Sequence, residues 1–344
     1  MSASTESAEG GKIDPKAIIF SHLGDAYGWE VPFNHHVRIP SLIIVCDHEG
    51  YWHFFSSARI AHGEEYDGFH IGDDNSAYKG KVVGMKAAAD GTMEEYRPID
   101  LSITKNVMAA IVAALCVFFC IMSVARWYKR HGYKAPRKTI GLVELGIEFV
   151  YKGVIVPTLK DKARKFGPYL LTVFFFIFIM NLLGLIVIFP GGANLTGNIS
   201  VTLVLALLTF VATNLFGTKH YWKDIFWPDV PLWLKFPLPI MPVIEVFGMF
   251  TKPAALTVRL FANMMGGHMI VIVLTLLIFI FAEMGAVVAG ATTVVSVLFS
   301  LFMLLIDVLV SFIQAYVFTM LSTIFISLAQ EGGHEKHAET ESIN

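Results

Sequence analysis

Six ionisable side chains lie in or between the two longest apolar stretches of the sequence: Glu245, Lys252, Arg259, His268, Glu283 and Asp307. At the centre of a bilayer an ionisable group costs at least ~2.5–3.5 kcal/mol, so each is a functional candidate by default. Arg259 carries the most information. A guanidinium keeps its proton in proteins, so it cannot relay one and acts only as a fixed positive charge. Such a charge needs an anionic partner, and the sequence offers Asp307 on the following stretch or a group on another subunit. Helical geometry orders the rest. Asn263 follows Arg259 by one turn and shares nearly the same face. Glu245 lies about 40° off that face and ~21 Å away along the axis. Asp307, Ser311 and Gln314 line one face of the final stretch. A polar stripe along two helices, broken by a permanent cation, is what a gated ion path requires. The plainer reading is a helix pair whose polar groups bond to one another.

These residues need spans to carry them. Of 344 residues, 55% are hydrophobic and 16% charged, with 28 Phe against 26 Lys plus Arg, and the mean hydropathy is +0.61. That balance excludes a disordered chain, a nucleic-acid binder and a disulfide-built secreted module. It predicts an all-α integral membrane protein with five transmembrane helices, at about 107–125, 168–189, 199–217, 239–282 and 286–329. The first expected span has 19 residues, just enough to cross ~30 Å of hydrocarbon at ~1.5 Å per residue. The last two would each reach ~65 Å as helices, roughly twice that thickness. With no charged turn dividing either, they read as two long, tilted helices rather than four spans. Gly141–Leu159 spaces Leu142, Leu145, Phe149 and Val154 at helical intervals, with Glu144, Glu148 and Lys152 between them. This predicts one interfacial amphipathic helix, about 141–159, lying along the membrane.

Charge sets the orientation. Residues 126–165 hold 11 basic and 3 acidic side chains, which places them in the cytoplasm. Lys219, His220, Lys223 and Lys235 mark the same side again, and 331–344 is expected as a cytoplasmic tail. Residues 1–104 carry 16 Asp plus Glu against 8 Lys plus Arg and 7 of the 12 histidines. They are expected outside as a small, mostly β or irregular extramembrane segment, with His36–Val45 and Tyr51–Phe55 as strands. The histidines show no recurring ligand spacing, so they read as surface or core residues rather than a metal site, and no cofactor is implied. Cys116 and Cys120 sit one helical turn apart in an apolar run and read as small buried hydrophobes; Cys46 is given no role. Met1–Gly11 lacks the basic start and apolar stretch of a signal peptide. The Asn194 and Asn198 sequons hug the membrane and read as chance.

The run from Ile244 to His268 resembles the signature of subunit a of the F-type ATP synthases. Its core is Lys252-Pro253 followed by Arg259-Leu-Phe-x-Asn-Met264, which is long and specific. Gln314-Ala-Tyr-Val-Phe318 resembles the family's second signature, and Asn181-Leu-Leu-Gly184 fits as well. The resemblance covers roughly residues 100–330. It implies a non-catalytic, proton-translocating stator subunit facing a rotating c-subunit ring. In that setting Arg259 would attract the deprotonated ring carboxylate and separate two aqueous half-channels, with Asn263 and Gln314 flanking it. His268 stands where some members have Glu, and Asp307 where those members have His. The pair looks exchanged, which keeps one acid and one imidazole for the outer half-channel. Glu245 matches an acidic position at the cytoplasmic exit, and Gly184 departs from an Asp of some members. The implied partners are the c ring, the b-subunit peripheral stalk, other synthase subunits and the lipid bilayer, without nucleic acid. The implied location is a bacterial plasma membrane, N-terminus outside and C-terminus cytoplasmic.

Two rivals stand beside this reading. A proton-coupled secondary transporter would show internal repeats and broken half-helices, and no repeat is found. A scaffold without an ion path leaves Arg259 and Asp307 unexplained. Enzymatic chemistry is least favoured, because no phosphate-binding Gly-rich loop and no nucleophile motif is present. Co-purification with a small apolar c-like subunit separates the synthase from a carrier, which would transport alone in liposomes.

Overall fold

The computed structural model describes residues 25–31, 34–60, 63–73, 76–87, 93–132, 134–136, 138–186, 195–226, 240–282 and 286–331. The expected outer loop at 190–197 lies mostly outside these residues, as do Lys235, Glu283, Asn194 and nearly all of the expected tail. The backbone of His268 is described and its side chain is not. The chain divides into two compact units. One holds residues 1–112, 183–194 and 269–297; the other holds 113–182, 195–268 and 298–344.

Among the described residues of the first unit, eight short strands form three small antiparallel sheets. Strands β1 (Gly28–Val31) and β2 (Asn34–Pro40) pair alone. Strand β3 (Leu42–Cys46) lies between β4 (Trp52–Ser56) and β8 (Ile99–Asp100). Strand β6 (Val82–Ala87) lies between β5 (Phe69–Ile71) and β7 (Met93–Tyr96). The single strand expected over His36–Val45 is in fact two, broken at Pro40-Ser41. Alternation on β3 turns Ile43 and Val45 inward, where they join Tyr27, Phe55, Ile60, Phe69 and Val82 in one apolar core. Polar ties finish the assembly: the Tyr27 hydroxyl donates to Asp100 and the Tyr96 hydroxyl to Asp47. Burial opposes ionisation of Asp47, but the Tyr96 and His48 donors outweigh it and hold the carboxyl below its usual range. Burial and the Asp47 bond together push the Tyr96 phenol up to about 12.

The remainder is helical. Helix α1 spans Lys105–His131, α2 Lys138–Val150, α3 Ala163–Leu185, α4 Ile199–Leu215, α5 Lys219–Phe226, α6 Ile240–Ala282 and α7 Ala286–Glu331. Helix α2 runs through a wide π turn (Tyr151–Ile155) into one more α turn (Val156–Leu159). Lys160 then takes a positive φ of 48°, a conformation that breaks a right-handed helix, and a short 3-10 turn leads into α3. Among the described residues three helical stretches are long and apolar enough to cross a membrane: Lys105–His131, Lys138–Leu185 and Thr293–Gln330; Ile199–Leu215 is apolar but shorter. Many large apolar side chains face outward, among them Leu203, Leu207, Phe247, Leu298 and Leu305. This is the surface of a protein solvated by lipid rather than water.

Candidate functional site

Three contacts fix how α6 and α7 meet. Asn263 Nδ2 donates to Gln314 Oε1 at 2.7 Å. A Cβ placed on Gly267 would stand 2.7 Å from Asp307 Oδ1. The Lys252 ammonium lies 5.5 Å from the centre of the Phe325 ring. As numbers rise on α6 they fall on α7, so the two helices run antiparallel with glycine at the closest approach to the carboxylate. Only a residue without a side chain leaves room for Asp307 there.

The polar face expected on the last helix is present and turned inward. Asp307, Ser311 and Gln314 are 9%, 0% and 3% exposed. The stripe continues further than the sequence reading carried it, through Thr319, Ser322 and Thr323, all buried. Helix α3 adds Asn181, fully buried, whose Nδ2 donates to the Ser311 carbonyl at 3.4 Å. Sequence reasoning used Asn181 only as part of a motif; the signal available was an amide side chain inside an otherwise apolar span. Some of these atoms have no hydrogen-bond partner among the described residues: Asn181 Oδ1, Asp307 Oδ2, Gln314 Nε2, Thr319 Oγ1 and Ser322 Oγ. Buried polar atoms of this kind normally bind ordered water or an exchangeable group.

Arg259 behaves differently. It is exposed, while Leu256 and Leu260 beside it are buried at 2% and 0%. Its exposed neighbours one turn away on the same helix are Ala255, Ala262 and Asn263. None of the ion pairs among the described residues includes Arg259. Asp307 packs instead against Gly267, eight residues and ~12 Å along the helix from Arg259. Asn263 joins the two settings: it is exposed on the Arg259 side and bonded to the buried Gln314. Glu245 is half-buried. Its negative charge adds to burial in raising the Tyr221 phenol above its usual value, so it faces α5. The structure therefore brings together Asn263, Gln314, Ser311 and Asp307, sets Arg259 on the adjoining outer face, and leaves Glu245 in a separate setting. The His268 side chain lies outside the described residues. Among the described residues there is no cluster of three or more metal-ligating side chains.

Comparison with known proteins assigns the lineage. The sequence profile of the family described as ATP synthase A chain matches residues 107–327, close to the 100–330 that the motifs marked. A second profile, a domain of unknown function, matches residues 18–101. An ATP synthase subunit a of Chlorobium phaeobacteroides is 39% identical over 296 residues, 82% of this chain and 80% of the relative. An ATP synthase subunit a 2 of Chlorobaculum tepidum is 42% identical over 259 residues, 71% of this chain and 69% of the relative. An ATP synthase subunit a of Myxococcus xanthus is 39% identical over 245 residues, 69% and 75% of the two chains. The β-rich segment thus precedes a membrane region of known kind, and the chain belongs to the ATP synthase A chain family.

Proposed function

We propose that the chain is the ion-conducting stator subunit of a bacterial rotary ATP synthase, passing protons through two half-channels to and from the carboxylates of a c-subunit ring. Membership of the family makes it a non-catalytic subunit of the membrane sector; the route of the ion is the proposal. The observation that carries it is the arrangement around Arg259. A permanent cation stands on an outward face, and one turn away Asn263 leads from that face into the buried polar stripe of α7. A cation so placed attracts a mobile carboxylate from a partner without supplying a proton of its own. It also raises the energy of any cation moving directly from one side to the other.

In this reading Asp307 and His268 belong to the outer half-channel and Glu245 to the cytoplasmic exit. Gln314 and Ser311 line the path, and the unpaired atoms of Asn181, Asp307 and Gln314 hold its water. The chain crosses a bacterial plasma membrane five times, by α1, α3, α4, α6 and α7. Helix α2 lies along the cytoplasmic surface, residues 1–104 are outside and the C-terminus is inside. The b-subunit stalk is a further partner. The test is Arg259→Gln in the assembled complex. Ion-driven ATP synthesis should fall to background while subunit content stays unchanged. Normal synthesis by an assembled Arg259→Gln complex overturns the proposal.

A further inference from the structure

A cavity of about 470 Å³ lies in the second unit, walled by α1, α2, α3 and α7. This is well within the size range of small-molecule sites. Phe174, Phe178 and Phe312 line it, with the Phe312 ring 5.8 Å from each of the other two. Leu145 and Phe149 of α2 and Cys120 of α1 line it as well. Gly146 also lines it, and an added Cβ there would come within 3.3 Å of Phe175. The only polarisable groups on the lining are the thiol and the rings. The cavity takes no part in the polar stripe and serves no step of the proposed ion path.

Its charged surroundings identify the occupant. Helix α1 continues from Cys120 to Arg126, Lys129 and Arg130, and Lys134 and Lys138 follow; all five side chains are exposed. Arg126 lies ~9 Å beyond Cys120 along the axis and Arg130 ~15 Å. The headgroup layer of a bilayer adds roughly 5–8 Å to each side of its hydrocarbon core. A lipid with its phosphate at this basic collar therefore has its acyl chain beside Cys120. On an ideal helix Trp127 and His131 share the face of Cys120. Their rings stack at 4.0 Å, and Trp127 Nε1 donates to the Lys134 carbonyl at 3.0 Å. The Tyr128 hydroxyl donates to Glu144 of α2. Aromatic side chains at this level mark the membrane–water boundary, and here Tyr128 ties α1 to Glu144, whose neighbours Val143 and Leu145 line the cavity.

We infer that the cavity between α1, α2, α3 and α7 is a binding site for one acyl chain of an anionic phospholipid, with the headgroup held by Arg130, Lys134 and the neighbouring basic residues. The lipid would brace α2 against α3 and α7, filling space that the protein itself leaves open. The inference rests on the membrane placement proposed above, and not on the ion path.

The test uses the intact synthase in nanodiscs containing phosphatidylglycerol or phosphatidylcholine, each with a diazirine in its acyl chain. Illumination is followed by peptide mapping. Adducts on the exposed Phe118 and Phe119 of α1 report the membrane placement itself. Adducts on Leu145, Phe149, Phe174 or Phe178 report the cavity. Phosphatidylglycerol should label the cavity at least about fivefold better than phosphatidylcholine, the effect of one basic side chain near an anionic surface. Arg130→Gln with Lys134→Gln should remove that preference while leaving the Phe118 and Phe119 adducts unchanged. Equal cavity labelling by both lipids, or cavity labelling absent beside normal labelling of Phe118 and Phe119, overturns the inference. Absence of every adduct on α1 overturns the membrane placement instead.

Discussion

Gly267 and its neighbour Gly266 offer a matched pair of substitutions one residue apart. A Cβ on Gly267 would meet Asp307 Oδ1 at 2.7 Å, its Cγ at 3.2 Å and Oδ2 at 3.3 Å, whereas a Cβ on Gly266 would meet nothing within 4 Å. Ordinary carbon contacts begin near ~3.5 Å, so Gly267→Ala forces the carboxylate back by roughly 0.7 Å or more. Overpacking of this kind costs ~1–3 kcal/mol, set against a gain of up to ~1 kcal/mol when alanine replaces glycine in a helix. The net effect on folding is thus small, of the order of 0–2 kcal/mol. The effect on function should be larger, because a relay group displaced by ~1 Å can lose up to ~100-fold in rate. Synthesis driven by an imposed pH gradient would be measured in membrane vesicles and normalised to assembled complex. Gly266→Ala should match wild type, and Gly267→Ala should run at least about tenfold slower. Equal rates for the two variants at equal assembly would refute the placement of Asp307 on the ion path.

Replacing Gln314 by Leu removes the 2.7 Å bond to the exposed Asn263; a bond of this kind contributes ~0.5–1.5 kcal/mol, so synthesis should fall several-fold. A double-mutant cycle with Asn263→Leu should show the two losses to be non-additive. His268→Ala should shift the pH dependence of proton entry from the outside, and an unchanged profile would remove His268 from the relay. A cysteine at Lys134 should react with an impermeant thiol reagent only from the cytoplasmic face; labelling from outside would invert the topology. The Tyr96–Asp47 bond should give the β-rich segment a two-sided pH limit. Asp47 is depressed in the fold, so its contribution holds above the unfolded value of ~3.9 and is lost as pH falls through the folded value. Tyr96 is raised to about 12, so its contribution holds below ~10 and is lost as pH rises through the folded value. Urea denaturation of wild type and Tyr96→Phe should differ at neutral pH and converge at both extremes.

The long apolar helices were legible in the sequence because lipid demands unbroken apolar runs. The span read at 107–125 is a helix over Lys105–His131, and the two longest runs are single helices of 43 and 46 residues. The polar face of Asp307, Ser311 and Gln314 was legible from helical spacing alone, since its residues share one element. Its partner on α6 was not. Which residue of α6 stands opposite Asp307 depends on how the two helices slide past each other, and that offset is set by close approach at Gly267 rather than by any local pattern. The break of the first expected strand at Pro40-Ser41 escaped notice because β2 and β3 belong to different sheets. Proline without an N–H was the available clue. The wide turn at Tyr151–Ile155 left no compositional mark, because a π turn uses the same residue types as the α-helix around it.

The position of β8 bears on how the chain is made. Strand β3 receives its second neighbour only from Ile99 and Asp100, and the ladder continues with Leu101 N–H to Ile44 and Ile103 N–H to Leu42, each at 2.9 Å. Tyr27 finds its acceptor on the same Asp100. The next residues open α1, whose first amide, Lys105 N–H, donates to the Ala26 carbonyl at 3.0 Å. The β-rich segment therefore cannot close its sheet until the last residues before the first span have left the ribosome and, in the proposed topology, crossed the bilayer. In the proposed topology, export of the segment therefore precedes closure of this sheet.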